Sequence, residues 1–182
     1  MTVIVMTGIQ ASGKSTVAQA VAERLERSVH VRGDVFRRMV VNGRVDMGPA
    51  NPPEEAVRQL RLRYQIAAAV ADQYASAGFA VVLQDIIIGI HLADMVSAIN
   101  HRPLYVVVLA PSAEVVRARE DARRLAHGKV AYKPGDQDVA ELDASFRRDT
   151  PRIGLWLDTS GQDVGQTVNE IIARLWREAK VT

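Results

Sequence analysis

Short apolar runs of strand length alternate along the chain with longer segments in which apolar residues recur at helical spacing. Because the short runs are apolar at nearly every position, they are typical of strands buried on both faces of a parallel sheet. Strands joined by helical crossovers predict a three-layer α/β fold, with a five-stranded parallel sheet between helices. The five strands are predicted at residues 3–7, 28–31, 79–88, 104–109 and 153–157. Helices are predicted at residues 14–26, 34–41, 54–77, 91–100, 113–127, 139–148 and 164–178.

Length and composition fit one globular domain. The 182 residues are 48% hydrophobic and 24% charged, which is close to the globular average and argues against disorder. The sequence contains no cysteine, so disulfides, zinc fingers and thiol catalysis are excluded. No apolar stretch reaches the length of a membrane span, and the first residues do not have the pattern of a secretion signal. We therefore expect a single domain over residues 1–182 that is cytoplasmic, has no membrane partner and is a monomer or homodimer.

Positive charge is carried almost entirely by arginine. Nineteen of the 23 basic residues are Arg and four are Lys, while the formal net charge is only +2. So small a net charge is weak evidence for a nucleic-acid partner. The planar fork of arginine suits phosphate and carboxylate oxygens, so the excess of arginine is compatible with a site that holds anions. A GC-rich genome that encodes Arg in place of Lys explains the excess equally well.

A glycine-rich loop follows the first predicted strand. Residues 8–15 read GIQASGKS, which matches the phosphate-loop (P-loop) pattern G-x-x-x-x-G-K-[ST] between a strand and a helix. The backbone N–H groups of such a loop converge on a phosphate, and the helix that follows points its positive end at the same place. Lys14 is expected to reach the terminal phosphates of ATP, and the Ser15 hydroxyl to bind Mg²⁺. The predicted nucleotide-binding residues here are Gly8, Gln10, Ala11, Ser12, Gly13, Lys14, Ser15 and Thr16.

An aspartate follows the second predicted strand. Asp34 lies in the segment RGDVFRR, at the carboxyl ends of the strands, where parallel α/β folds bind their ligands. A carboxylate across the cleft from the P-loop can take the proton from an attacking hydroxyl, and Arg37 and Arg38 lie within one helical turn of it. The competing interpretation makes Asp34 only the N-cap of the following helix.

The third predicted strand also ends in an acid. Its apolar run terminates at Asp85, which gives the segment the form of a Walker B motif, whose aspartate holds Mg²⁺ directly or through water. Aspartate is common in turns after strands, so the motif gains its weight from the P-loop upstream. Ser15 and Asp85 are the predicted ligands of Mg²⁺.

Taken in order, the segments GIQASGKST, RGDVFRR, VVLQDIIIG and LYVVVLAPSAEVVRAREDARR resemble the chloramphenicol phosphotransferase-like group of small P-loop kinases. This group is similar to shikimate, gluconate and nucleoside monophosphate kinases, and the resemblance spans nearly the whole chain. It implies a sheet in the order 2-3-1-4-5, ATP with Mg²⁺, and transfer of the γ-phosphoryl group to a hydroxyl. It also implies that Asp34 is the general base and that an arginine-bearing lid closes over ATP. The predicted substrate-binding region is about residues 34–77. Within it, the loop at residues 42–53 and the helix around Arg58, Arg61 and Tyr64 match no acceptor signature.

The predicted lid, about residues 117–150, is rich in arginine. Arg119 and Arg123 are four residues apart and share one face of a helix, while Arg117 and Arg124 share another. We expect Arg119 and Arg123 to approach the phosphates and to offset charge during transfer. For most lid arginines, a solvated helix face neutralised by nearby acids is the competing interpretation.

Two further groups complete the predicted site. In the kinases that the chain resembles, the loop after the fifth strand borders the adenine, and this implies that Thr159 and Ser160 contact the base. The same residues suit a turn before the last helix equally well. The predicted acceptor-binding residues are Asp34, Arg37, Arg38, Arg58, Arg61 and Asp85.

Three functions are open on this basis. The leading hypothesis is an ATP-dependent kinase that phosphorylates a hydroxyl of a small molecule, with antibiotics among the candidates. The second is a nucleoside, nucleotide or 5′-hydroxyl polynucleotide kinase, in which Arg58, Arg61 and Arg63 bind an acceptor phosphate. The third is a nucleotide-binding regulatory module that has no acceptor and in which Asp34 is only a cap.

Overall fold

The computed structural model describes residues 1–48, 51–127 and 138–181, so part of the predicted lid lies outside the described residues. Its strands are β1 (Val3–Thr7), β2 (Ser28–Arg32), β3 (Ala80–Gln84), β4 (Leu104–Leu109), β5 (Leu155–Leu157) and β6 (Lys180–Val181). Its helices are α1 (Lys14–Glu23), α2 (Gly33–Arg38), α3 (Glu54–Ser76), α4 (His91–Ala98), α5 (Ala113–His127), α6 (Val139–Asp149) and α7 (Val164–Glu178). Within the described ranges, none of the helices combines the length and the apolar character needed to cross a membrane.

The strands form one sheet in the order β2-β3-β1-β4-β5, and all of these pairs are parallel. The predicted α/β fold with the strand order 2-3-1-4-5 is therefore confirmed. β6 was not predicted, because two residues are too few to show a pattern. It pairs antiparallel with the start of β4, where Val181 lies opposite Leu104.

β1 lies at the centre of the sheet and is completely buried. On one face of the sheet, Val3 and Val5 belong to a core cluster that includes most of the buried side chains of α3. On the other face, Ile4 and Met6 belong to a cluster with residues of α1 and α7. Helices therefore cover both faces of the sheet. Because the five main strands are parallel, their carboxyl ends all lie at the same edge of the sheet.

β3 is shorter than its apolar run predicts, since it ends at Gln84 rather than at Ile88. Beyond it, the Thr7 hydroxyl donates a hydrogen bond to the Ile87 carbonyl oxygen and accepts one from the Ile87 N–H, both at 2.8 Å. The Tyr64 hydroxyl donates to the carbonyl oxygen of Ile86. Hydrogen bonds from the Thr7 and Tyr64 side chains thus replace backbone pairing in this segment and hold it at the end of β1.

Gly154 precedes β5 with a φ of +72°, and an added Cβ would overlap the carbonyl oxygen of Val106. We expect Gly154→Ala to lower the free energy of unfolding by at least about 2 kcal/mol, because alanine adds left-handed strain and a clash with backbone. Urea denaturation measures this change. Gly161→Ala is the matched control, since no heavy atom lies within 4 Å of its added Cβ. We expect the control to change stability by less than about 0.5 kcal/mol, and equal losses in both variants would contradict this packing.

Candidate active site

The P-loop connects β1 to α1 and depends on two glycines. Gly8 has a φ of +152°, and an added Cβ would overlap the Leu109 carbonyl oxygen and lie 2.8 Å from the Ser12 hydroxyl. Gly13 has a φ of +92° and occupies the N-cap of α1, so the free N–H groups of the first helical turn start at this loop. Lys14 is buried, and its Nζ donates a hydrogen bond to the Ile9 carbonyl oxygen at 2.9 Å. The loop therefore curls around the lysine ammonium.

Charged side chains from four other parts of the chain act on the Lys14 ammonium. Burial lowers the pKa of Lys14 to about 8, and Asp85 and Asp34 partly oppose this shift. Arg123 and Arg63 lower the pKa further. Residues from the ends of β2 and β3, from α3 and from α5 therefore act on one cation, as the predicted cleft requires.

Two consecutive residues at the end of β3 make different contacts. The Ser15 hydroxyl donates a hydrogen bond to Oε1 of Gln84 at 3.0 Å. Asp85 instead accepts hydrogen bonds from Nε and Nη2 of Arg63, and the distance from Nε to Oδ2 is 2.7 Å. The Ile86 N–H donates a further hydrogen bond to Oδ1 of Asp85. Burial raises the pKa of the Asp85 carboxyl from its ordinary value, and the Arg63 guanidinium opposes this shift. An added Cβ on Gly33 would overlap the Asp85 carboxylate, so only glycine leaves room for this pair.

Asp34 lies in the first turn of α2, and its carboxylate forms an ion pair with Arg38 at 3.0 Å. The N-cap of α2 is Arg32, and no side chain caps the helix, so the interpretation of Asp34 as a cap is wrong. The Asp34 side chain is 43% exposed. A carboxylate that is partly accessible and acts on the Lys14 ammonium is available to an acceptor; its catalytic role stays a prediction.

The long helix α3 contributes Arg63 to the cleft, an arginine that was predicted only under the nucleotide-kinase alternative, where it binds an acceptor phosphate. Arg58 pairs with Glu54 and Glu55 on an exposed face, and Arg61 is exposed. Arg63 is the arginine that reaches the cleft, with a side chain only 12% exposed. The signal for it was present in the sequence, since Arg63 lies at helical spacing from Ala56 and Ala67, both of which are buried.

Helix α5 brings one predicted arginine directly onto the P-loop. Arg119 donates from Nη1 to the Ser12 carbonyl oxygen at 3.1 Å and from Nη2 to the Thr159 carbonyl oxygen at 3.0 Å. Arg123, one turn further on, pairs with Glu120 and influences the Lys14 pKa. Both arginines thus lie on the face of α5 that meets the cleft, while their roles in transfer stay predictions.

Arg117 and Arg124 lie on the other face of α5 and form exposed ion pairs with Asp138 and Asp121. This separation follows the predicted division of the lid arginines between two faces of the helix.

The loop after β5 lies beside the P-loop through Arg119. The Ser160 hydroxyl accepts a hydrogen bond from the Ser112 N–H at 2.8 Å, which ties this loop to the start of α5. The hydroxyl of Thr159 is buried and has no hydrogen-bond partner among the described residues. A contact of Thr159 and Ser160 with adenine stays a prediction.

A groove opens between α2, α3 and residues 45–47. Its two arginines are both engaged, Arg37 with Asp46 and Arg63 with Asp85. Most of the other lining side chains are apolar: Phe36, Val40, Val45, Met47, Leu60 and Leu62. Because Arg63 belongs both to this groove and to the group around Lys14, the groove adjoins the phosphate cleft.

The side chains near Ser15 are suited to Mg²⁺. This ion prefers oxygen ligands and usually takes one or two from the protein, with water and nucleotide phosphates completing its shell. The Ser15 hydroxyl and the Gln84 amide are such oxygens and already lie in contact. Among the described residues, no group of three or more His, Cys, Asp or Glu side chains could hold a metal ion.

Sequence comparison assigns the chain to a family. Residues 3–148 match the model of the AAA domain family AAA_33, and the chain belongs to this family. No curated protein sequence matches the chain.

Solved structures of small kinases are similar to the chain along nearly its whole length. A sugar kinase from Janibacter sp. HTCC2649 has 19% identity and a TM-score of 0.65, over 94% of this chain and 92% of that one. A gluconokinase from Sinorhizobium meliloti 1021 has 22% identity and a TM-score of 0.60, over 96% and 91%. The tunicamycin resistance protein of Deinococcus radiodurans has 16% identity and a TM-score of 0.63, over 99% and 98%. At these identities the likeness concerns the fold, and at that level the resemblance to small-molecule P-loop kinases is confirmed.

The low pKa of Lys14 predicts a pH dependence of nucleotide binding. The protonated lysine binds phosphate, so affinity for ATP is full below a pH of about 8, where the pKa of Lys14 lies, and falls as pH rises above it. We expect a loss of up to about tenfold per pH unit until the bound-state pKa is reached. Fluorescence titration with a labelled ATP analogue between about pH 7 and 9.5, where phosphates are already ionised, measures the effect. Lys14→Arg is the control, because arginine stays charged. A flat wild-type profile would contradict the prediction.

Proposed function

We propose that the chain is a kinase that transfers the γ-phosphoryl group of ATP to a hydroxyl of a small molecule. The observation that carries this proposal is that one cleft holds the buried Lys14 of the P-loop and the partly exposed carboxylate of Asp34, which follows β2 at the same edge of the sheet. A cation for the phosphates and an accessible carboxylate for the acceptor proton are what phosphoryl transfer to an alcohol needs. The fold shared with a sugar kinase and a gluconokinase supports the same class.

In the proposed reaction, the P-loop N–H groups and Lys14 hold the β- and γ-phosphates. Ser15 would hold Mg²⁺, and the bound ion would supply positive charge against the phosphates. The acceptor oxygen attacks the γ-phosphorus, the bond to the bridging oxygen of ADP breaks, and Asp34 takes the hydroxyl proton. Arg123 offsets the charge that builds up in the transition state, while Arg119 holds α5 against the P-loop through its two carbonyl contacts.

The groove between α2 and α3 supports an uncharged acceptor with an apolar body. Its lining is mainly apolar, and both of its arginines already have carboxylate partners. A phosphorylated or acidic acceptor would have to displace Asp46 or Asp85 to gain a cation. An antibiotic-like alcohol belongs to the favoured class, and one structural neighbour is named for resistance to tunicamycin.

We expect Asp34→Asn to lower the transfer rate by roughly a hundredfold or more, because an amide cannot accept the hydroxyl proton. Its affinity for ATP should stay within about twofold, since the phosphates are held by Lys14 and the P-loop. The measurement uses ATP radiolabelled in the γ-phosphoryl group with a panel of uncharged apolar alcohols, phosphorylated alcohols and 5′-hydroxyl oligonucleotides. Glu178→Gln is the matched control, because it makes the same acid-to-amide change at the exposed end of α7.

Each outcome of this assay has a clear meaning. Labelled apolar alcohol from the wild type and not from Asp34→Asn supports the proposal. Equal turnover by both proteins would show that Asp34 has no role in the reaction. If only oligonucleotides or phosphorylated alcohols are labelled, the acceptor is not an uncharged apolar alcohol. Release of inorganic phosphate alone, at equal rates in both proteins, favours a nucleotide-binding regulatory module.

A further inference from the structure

The last residues of β3 face opposite sides of the sheet. Val82 belongs to the core cluster on the α1 side, whereas Leu83 belongs to the cluster on the α3 side. Side chains alternate along a strand, so Gln84 faces α1 and Asp85 faces α3. The observed partners agree, because Gln84 meets Ser15 of α1 and Asp85 meets Arg63 of α3. The oxygen that contacts the Ser15 hydroxyl therefore belongs to an amide rather than to a carboxylate.

Gln84 is well placed to orient the Ser15 oxygen. The Gln84 side chain is buried, with 4% of the residue exposed, and its Oε1 accepts the hydroxyl hydrogen of Ser15 at 3.0 Å. This bond uses the hydrogen of Ser15 and leaves the lone pairs of its oxygen available. A hydroxyl held in this way is prepared to act as an oxygen ligand to a hard cation.

Asp85 is committed to another partner. Its two oxygens receive Nε and Nη2 of Arg63 and the N–H of Ile86, and the carboxylate is packed against Gly33. Turning Asp85 toward a metal would leave the Arg63 guanidinium almost buried without its counter-ion, which is strongly unfavourable. The two contacts hold the Arg63 guanidinium in place, close enough to Lys14 to lower the pKa of the lysine.

We propose that Gln84 positions the magnesium ion of bound ATP through the Ser15 hydroxyl, and that Asp85 is the anchor of Arg63 and not a metal ligand. This inference rests on the proposed use of Mg²⁺ and ATP, and it is independent of the acceptor. Gln84 is a positioning residue, since it acts on the metal through Ser15. Asp85 is a positioning residue for Arg63, which borders both the groove and the cleft.

The test is the Mg²⁺ concentration at which binding of a non-hydrolysable ATP analogue is half-enhanced, measured by calorimetry over a series of Mg²⁺ concentrations. Gln84→Glu puts a carboxylate beside Ser15 and should lower this midpoint by roughly threefold or more, whereas Gln84→Leu should raise it by a similar factor. Affinity for the analogue without Mg²⁺ is the second readout. It should stay within about twofold for Gln84→Leu, because a merely structural defect would weaken both forms.

Asp85→Asn tests the second half of the proposal, that Asp85 is not a metal ligand. We expect its Mg²⁺ midpoint to stay within about twofold of the wild type, and a rise of roughly tenfold would make Asp85 the metal ligand and overturn the proposal. If Asp85→Asn does not fold, the double variant Asp85→Asn with Arg63→Gln replaces the ion pair by a neutral pair and is read by the same criterion. A Gln84→Glu midpoint that does not fall also overturns the proposal. If the wild type does not bind the ATP analogue at all, the proposed kinase function itself is contradicted.

Discussion

The candidate site depends on one constraint, which is that β1 is buried on both faces and lies between β3 and β4. The P-loop leaves β1 at its carboxyl end and is therefore in the middle of the edge where parallel α/β sheets bind ligands. The ends of β2 and β3 lie on one side of it, and those of β4 and β5 on the other. Asp34, Asp85 and Arg119 come from distant parts of the sequence and reach the P-loop only because the strand order puts their elements there.

Burial of the Lys14 ammonium explains much of the charge arrangement. A buried cation is stable only with compensating groups. The Lys14 ammonium donates a hydrogen bond to the Ile9 carbonyl oxygen, and the carboxylates of Asp85 and Asp34 interact with it electrostatically. Two arginines also act on it, and each is held by a carboxylate of its own, Arg63 by Asp85 and Arg123 by Glu120. Positive charge is thereby concentrated where phosphate is expected to bind. In the absence of phosphate, the carboxylates of the protein offset the repulsion between these cations.

The surplus of arginine over lysine divides along the same line. Arg63, Arg119 and Arg123 are held in the cleft by specific partners. Arg58 and Arg124 instead form exposed ion pairs within their own helices, which contribute little to stability. The proposed binding of phosphate therefore concerns the position of a few arginines, and their total number needs no functional explanation.

The order of the strands in the sheet came from the resemblance to small P-loop kinases. The buried strands and the P-loop themselves were predictable, because both are local features of the sequence. The short strand β6 was not, since it is defined only by pairing with β4. The contacts of Gln84 and Asp85 were not predicted, because the Walker B pattern was used to assign a role to Asp85 alone. Alternation along β3 nevertheless assigns the two residues to opposite faces of the sheet. Arg63 was considered only as a possible phosphate-binding residue. Its partner depends on how α3 crosses the end of β3, and sequence spacing cannot supply this crossing.

The central claim is that ATP binds at the carboxyl edge of the sheet, in contact with groups from β1, β3 and α5. Hydrogen–deuterium exchange with and without the Mg²⁺ complex of a non-hydrolysable ATP analogue tests it directly. We predict slower exchange in residues 8–16, 84–86 and 119–123, with no change in residues 170–181 at the far end of α7. Unchanged exchange in residues 8–16, or protection confined to parts of the chain away from this edge, would contradict the claim.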